Sequence, residues 1–139
     1  MAERTLILIK PDGINRNLIG TILARFEGEG LKILALKMFK FTKGGAENFY
    51  AMHREKPFFE ELTSWMSSQP IVAAILESEN AISKVRDIVG ATNPAEARQG
   101  TIRALYGTSV GQNVVHASDS QEAYEKEVRI VFPEGIEHF

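Results

Sequence analysis

The chain contains no cysteine among its 139 residues. That excludes disulfides, thiolate metal sites and a cysteine nucleophile, and it accords with a reducing compartment. No run approaches the ~18 apolar residues that cross a bilayer. The stretch before Lys10 is too short in apolar residues for a signal-peptide core. A cytoplasmic protein with no membrane partner is therefore expected. Charge of one sign is also lacking: 16 basic residues face 18 acidic ones, so there is no general basic field to hold nucleic acid. The phosphate-binding pattern G-x-x-x-x-G-K-[ST] is absent, which argues against P-loop chemistry. No histidine or cysteine cluster has metal-ligand spacing. Repeats, low-complexity tracts and linkers are missing too, and the length suits one domain over residues 1–139.

What is present is an ordered series of short elements. Thr5 to Ile9 is a β-favouring run closed by Lys10-Pro11-Asp12-Gly13, a turn signal. Leu18, Ile19, Ile22, Leu23 and Phe26 have helical spacing, ended by Gly28 and Gly30. Leu31 to Phe39 reads as a strand, with Leu31, Ile33, Ala35 and Lys37 on one face and Leu34, Leu36 and Met38 on the other. Gly44-Gly45 reads as a break. Residues 46 to 66 read as two helices split by Lys56-Pro57. Ile71 to Leu76 reads as a buried strand, 80 to 89 as a helix, and 90 to 101 as a long structured loop. A short segment at 102 to 106 precedes a final strand near 113 to 116 and a helix near 120 to 131, with Asp119 as its N-cap and Glu122 completing a capping box. The order predicts an α+β fold: a ferredoxin-like βαββαβ sandwich with an antiparallel sheet and helical insertions.

His116 ends an apolar run directly before a helix start, a position from which side chains commonly enter a site. Imidazole serves as nucleophile, base or metal ligand. On the last helix, Ser120, Ala123, Glu127, Ile130 and Val131 share a face by i, i+3, i+4 spacing. A carboxylate on an inward stripe needs a partner, and an imidazole N–H supplies one. Ser118 is a hydroxyl able to bridge the pair. The absence of ligand clusters favours an oriented nucleophile or base over a metal ligand. His53 and His138 read as a polar helix position and a chain terminus. Lys10, Arg86, Thr92 and Arg103 stand at turns, helices and loops; together they would suit a polyphosphate.

The segment Asn113-Val114-Val115-His116-Ala117-Ser118-Asp119 resembles the active-site signature of the nucleoside diphosphate kinase family, Asn-x-x-His-[Gly or Ala]-Ser-Asp. Ile9-Lys10-Pro11-Asp12-Gly13, Lys56-Pro57-Phe58-Phe59, Gly90-Ala91-Thr92-Asn93-Pro94-Ala95 and Gly100-Thr101-Ile102-Arg103 resemble further family motifs, in the family's order. The resemblance covers essentially the whole chain. It implies that His116 accepts a phosphoryl group, that Glu127 holds its other ring nitrogen, and that Ser118 supports Glu127. It places Arg86, Thr92 and Arg103 on the phosphates, Tyr50 beside the histidine, and Lys10 and Asn113 at the ribose hydroxyls and the transferring end. Phe58 would stack on the base, with Leu62 and Val110 closing the slot. Ala117 stands where glycine is more usual; Gln69 and Ser78 also depart from common glycines.

The resemblance implies ping-pong transfer from a nucleoside triphosphate to a diphosphate with broad base tolerance. Mg²⁺ would be held mainly through substrate phosphates rather than by a protein metal site. A homo-oligomer, tetramer or hexamer, would bury the loop at 90 to 101. Two rivals differ in what they need. A nucleotide sensor requires phosphate donors but no ordered His–Glu pair. An RNA-binding module predicts exposed sheet aromatics and a basic face, whereas these strands are mainly aliphatic.

Overall fold

The computed structural model describes residues 2–135, so His138 lies outside the described residues. Four strands, β1 (Glu3–Ile9), β2 (Lys32–Phe39), β3 (Ile71–Ser78) and β4 (Val115–Ala117), form one antiparallel sheet in the order β2-β3-β1-β4. The helices are α1 (Pro11–Asn15), α2 (Ile19–Gly28), α3 (Lys43–Phe49), α4 (Phe59–Met66), α5 (Ala81–Val89), α6 (Ile102–Tyr106) and α7 (Gln121–Val131). The α+β ferredoxin-like expectation holds. Among the described residues no helix is long and apolar enough to cross a membrane.

The two central strands are apolar on both faces because both faces are covered. Ile7, Ile9, Val72, Ala74 and Leu76 pack with Ile22 and Phe26 of α2 and Val85, Ile88 and Val89 of α5. Leu6, Leu8, Ala73 and Ile75 point the other way, into Phe49 of α3, Met66 of α4 and Tyr124 and Val131 of α7. Burial is worth about 1.5–3 kcal/mol per large apolar side chain, so these two layers supply the main driving force for the fold. They also set His116, on the strand beside β1, facing the α3/α7 layer.

Four local expectations need correction. In β2 a bulge at Leu34 breaks the alternation: Ile33 and Ala35 pair with consecutive residues of β3, Leu76 and Ile75. Ala35 and Phe39 therefore pack in the α3/α7 layer, opposite Ile33. One extra residue inverts the parity of everything after it. Gly44-Gly45 does not break the chain; it lies in the first turn of α3, where the Thr42 hydroxyl accepts the Gly45 N–H at 2.9 Å. The cap of α7 is Ser120, not Asp119: its Oγ accepts the Ala123 N–H at 3.0 Å. Lys10-Pro11-Asp12-Gly13 leads into α1 rather than a simple turn, with Pro11 at a helix start where its missing N–H does no harm.

Candidate active site

β4 is only three residues long, yet it pairs with β1 at Ile9, Leu8 and Ile7. Alternation along it sends Val115 and Ala117 into the α2/α5 core. His116 goes to the opposite face, 5.2 Å between ring centres from Phe49 and 6.2 Å from Tyr50. The methyl that Ala117 carries in place of glycine is buried in that core and leaves the strand extended.

Glu127 is buried on the inner face of α7 with Tyr124 and Val131. Its Oε1 lies 3.0 Å from His116 Nε2 and accepts the Ser118 hydroxyl at 2.7 Å. Ser118 is fully buried, and its own N–H is fixed on the Leu6 carbonyl at 3.0 Å. A carboxylate can only accept, so the bond to Glu127 keeps the proton on Nε2. Nδ1 is then the nitrogen with a free lone pair. The imidazole is held but reachable, at 21% side-chain exposure against 10% for Glu127.

Cations surround this pair, and their bonds go to neutral acceptors. Arg103 of α6 is buried; Nη2 donates to the Val115 carbonyl at 2.7 Å and Nη1 to the Gly90 carbonyl at 3.1 Å. Arg86 of α5 donates to the Ala117 carbonyl at 3.3 Å. The two guanidiniums thus grip the backbone on either side of His116. Burial, then the nearby Arg86 charge, pulls the Arg103 pKa down to about 10. Gly90, whose carbonyl takes part, has φ +94°, and a Cβ there would meet Thr101 Oγ1 at 2.5 Å. Only glycine fits that corner.

Lys10 leaves the end of β1 and is buried, with Nζ donating to Asn113 Oδ1 at 2.8 Å. Burial and the Arg103 charge lower its pKa to about 8, partly offset by Asp12. Asn113 donates in turn to the Thr92 carbonyl at 2.9 Å, tying the loop at 90 to 101 to the site. Buried positive charges collected without a full set of carboxylate partners are costly unless an anion joins them.

A chain of rings leads outward. His116, Tyr50, His53 and Phe58 follow one another at 6.2, 6.5 and 5.5 Å between centres. The Tyr50 hydroxyl is buried without a hydrogen-bond partner. Burial and the Glu127 charge push its pKa far up, so it stays a donor. Phe58 is 47% exposed and Val110 55%.

Comparison with known proteins agrees with this geometry. The sequence profile of the family described as nucleoside diphosphate kinase matches residues 3–136. The chain belongs to the nucleoside diphosphate kinase family. It is 54% identical over 130 residues to the nucleoside diphosphate kinase of Persephonella marina, covering 94% of this chain and 93% of that one. The nucleoside diphosphate kinase structure from Aquifex aeolicus superposes with a TM-score of 0.92 at 51% identity, over 95% of this chain and 96% of that one. A halophilic nucleoside diphosphate kinase from Halobacterium salinarum, solved in complex with CDP, gives a TM-score of 0.95 at 38% identity, over 100% of this chain and 93% of that one. Membership places the chain among enzymes rather than among sensors or RNA-binding modules.

Within this family member, three sets of bonds gather around β4: His116, Glu127 and Ser118 bond to one another, Arg86 and Arg103 bond to the β4 backbone, and Lys10 bonds to Asn113. Thr92 joins the last of these through its backbone carbonyl. Tyr50 flanks the histidine, and Phe58 reaches it through His53. Leu62 packs at the edge of the α3/α7 layer. Val110 stands in the exposed turn before Asn113 and no hydrogen bond fixes its position relative to Phe58. His53, read from sequence as a polar helix position, lies between the Tyr50 and Phe58 rings. Its place three residues after Tyr50, in the short 3-10 turn that follows α3, brings the two rings near. Among the described residues no group of three or more His, Asp or Glu side chains could hold a metal ion.

Proposed function

We propose that the protein transfers the γ-phosphoryl of a nucleoside triphosphate to a nucleoside diphosphate through a phosphohistidine at His116. One observation carries this reading: Glu127 holds Nε2–H, so the lone pair of Nδ1 is available on a ring reachable from solvent. In the first half-reaction Nδ1 attacks the γ-phosphorus. The bond from that phosphorus to the β–γ bridging oxygen breaks, and the diphosphate leaves. In the second, a terminal oxygen of another diphosphate attacks the phosphorus and the P–N bond breaks. The steps are mirror images, so one site serves both. Glu127 stabilises the positive charge that develops on the ring, and Ser118 keeps Glu127 in place.

Arg86, Arg103 and Lys10 supply cationic donors to the transferring oxygens, and the partnerless Tyr50 hydroxyl supplies another. Thr92 adds a phosphate contact from the loop. Phe58, Leu62 and Val110 form the base slot, with His53 bridging to the phosphates. Mg²⁺ enters as part of the nucleotide substrate, neutralising phosphate charge, which suits a site built from cationic rather than acidic side chains. The activity resides in a single domain, and the chain assembles as a homo-oligomer, tetramer or hexamer. The exposed Leu36 and Met38 of edge strand β2 support that assembly.

Incubation with γ-labelled ATP should give an acid-labile, base-stable phosphoprotein that discharges onto added diphosphate. His116→Ala should abolish label and turnover while nucleotide still binds. Substantial turnover in that variant would overturn the assignment.

A further inference from the structure

Val114 is a fully buried, β-branched residue with φ +63°. The Val115 N–H donates to the Asn113 carbonyl at 2.8 Å, so Val114 is the centre of a γ-turn of the positive-φ hand. That hand is rare and strained, and a β-branched residue makes it worse. Two bonds hold the turn. The Val114 carbonyl accepts the Lys10 backbone N–H at 2.8 Å, and the Val114 N–H donates to Asp12 Oδ2 at 3.1 Å. The first uses only backbone; the second depends on one side chain. Asp12 is buried, and its other oxygen has no partner. Gly13 beside it admits no side chain, since a Cβ would meet Ile9 Cγ2 at 2.8 Å and the Val114 carbonyl at 3.2 Å.

The turn lies between Asn113 and the strand that carries His116. On one side of it, Asn113 holds Lys10 and the Thr92 loop; on the other, Val115 and Ala117 are gripped by the two arginines. We propose that Asp12 is a positioning residue: its carboxylate locks the strained Val114 turn and so fixes the spacing between the sugar-side donors, Lys10 and Asn113, and the nucleophilic ring of His116. The inference rests on the phosphohistidine reading. An acidic residue in a helix's first turn that merely complements the backbone dipole would leave this spacing alone.

Four proteins test it: Asp12→Ala, Asp12→Asn, Val114→Gly and Asp12→Ala/Val114→Gly. Each is assayed for kcat, KM and the ratio of rates with a nucleotide and its 3′-deoxy analogue. His116 labelling is measured in the same samples. Small displacements at a reacting centre cost about 10²-fold, so Asp12→Ala should lose about 10- to 100-fold in kcat and most of its 3′-hydroxyl preference. Asp12→Asn keeps an oxygen acceptor and should recover most of both. Val114→Gly removes the conformational penalty, so Asp12→Ala should cost much less in that background. A merely structural role lowers Tm without changing the sugar ratio. Wild-type kcat and sugar ratio in Asp12→Ala, or Asp12→Asn as damaged as Asp12→Ala, overturns the inference. If Asp12→Ala cannot be purified, Asp12→Asn decides: near-wild-type values support it, and a loss beyond about tenfold overturns it, on the same scale of misplacement cost. Failure of the wild type to label His116 overturns the reading beneath it, which is a separate result.

Discussion

At the histidine end of the site, side chains are buried or half-buried and bonded to one another or to backbone carbonyls. At the Phe58 end, the side-chain shelf is half in solvent and touches its neighbours through ring contact with His53. Under the proposed function, the difference follows from what each end would have to do. Phosphoryl transfer is accelerated by donors fixed before the charge arrives, in surroundings that exclude water. Fixing them requires the cross-bracing seen around β4, where Arg103, Arg86 and Lys10 are each tied down. A base that must only be held flat needs apolar surface, and hydrogen bonds there would select one base over another. One end is built for precision and the other for tolerance, so disruption should be severe at the first and mild at the second.

The largest effect after loss of His116 itself should come from its orienting pair. Glu127→Gln keeps the shape but removes the charge that stabilises the developing imidazolium. A loss of about 10- to 1000-fold in kcat is expected, within the range for positioned acid–base groups. Ser118→Ala should cost less, because Glu127 retains the histidine. KM should change little in both, since neither residue is placed on the nucleotide. If Glu127→Gln turns over like the wild type, the histidine end is not the precise one and the comparison collapses.

These assignments were unevenly legible beforehand. His116, Ser118 and Glu127 were readable because a strand–helix junction and an inward helical stripe leave few ways for a histidine and a carboxylate to meet. Tyr124, on the same buried stripe, was missed because its spacing is equally good for a half-exposed face. The parity of β2 was not readable: Leu31 to Phe39 offers apolar residues at both parities, and only pairing with β3 reveals the bulge at Leu34. Val114-Val115 reads as continuous strand because β-branched residues favour it. The turn there is imposed by Asp12 and Lys10, which are over a hundred positions away in sequence. The cap of α7, read as Asp119, is the next residue, Ser120, whose Oγ accepts the Ala123 N–H; a capping Asp and a capping Ser side by side look alike in sequence.

A second, smaller test concerns charge. The Lys10 pKa sits near 8, well below the ordinary 10.5, chiefly through burial and then Arg103, with Asp12 opposing. If Lys10 binds substrate as a cation, kcat/KM should fall as pH rises through about 8, because that profile reports the free enzyme. In Lys10→Arg the limb should vanish, since guanidinium stays charged, though overall activity drops with the poorer fit. Stability should behave oppositely. Between about 8 and 10.5 the folded chain has released this proton while the unfolded chain keeps it, so the Lys10 contribution stabilises the fold as pH rises. Thermal melts and initial rates across that window check both signs. A kcat/KM flat across pH 8 in the wild type would remove Lys10 from the precise end.

The smallest effects are expected at the tolerant end. Phe58, Leu62 and Val110 offer flat apolar surface, and base stacking contributes about 1–3 kcal/mol while accepting any base. ATP, GTP and CTP should therefore differ in kcat/KM by no more than about tenfold, the equivalent of about 1.4 kcal/mol, with purines ahead through larger stacking area. Phe58→Ala should raise KM for all of them together and leave their ranking intact. In the proposed function the sugar is read by the precise end instead. Lys10 has two N–H groups beyond the one on Asn113, and Asn113 retains one of its own. A 3′-deoxy nucleotide leaves such donors unpaired, which costs about 1–3 kcal/mol, or roughly 5- to 150-fold; a 2′-deoxy nucleotide should lose less. These rates, measured under one condition, place the boundary between the two ends. Strict choice of a single base would move hydrogen-bonded recognition out to the shelf, and indifference to the 3′-hydroxyl would take it away from Lys10 and Asn113.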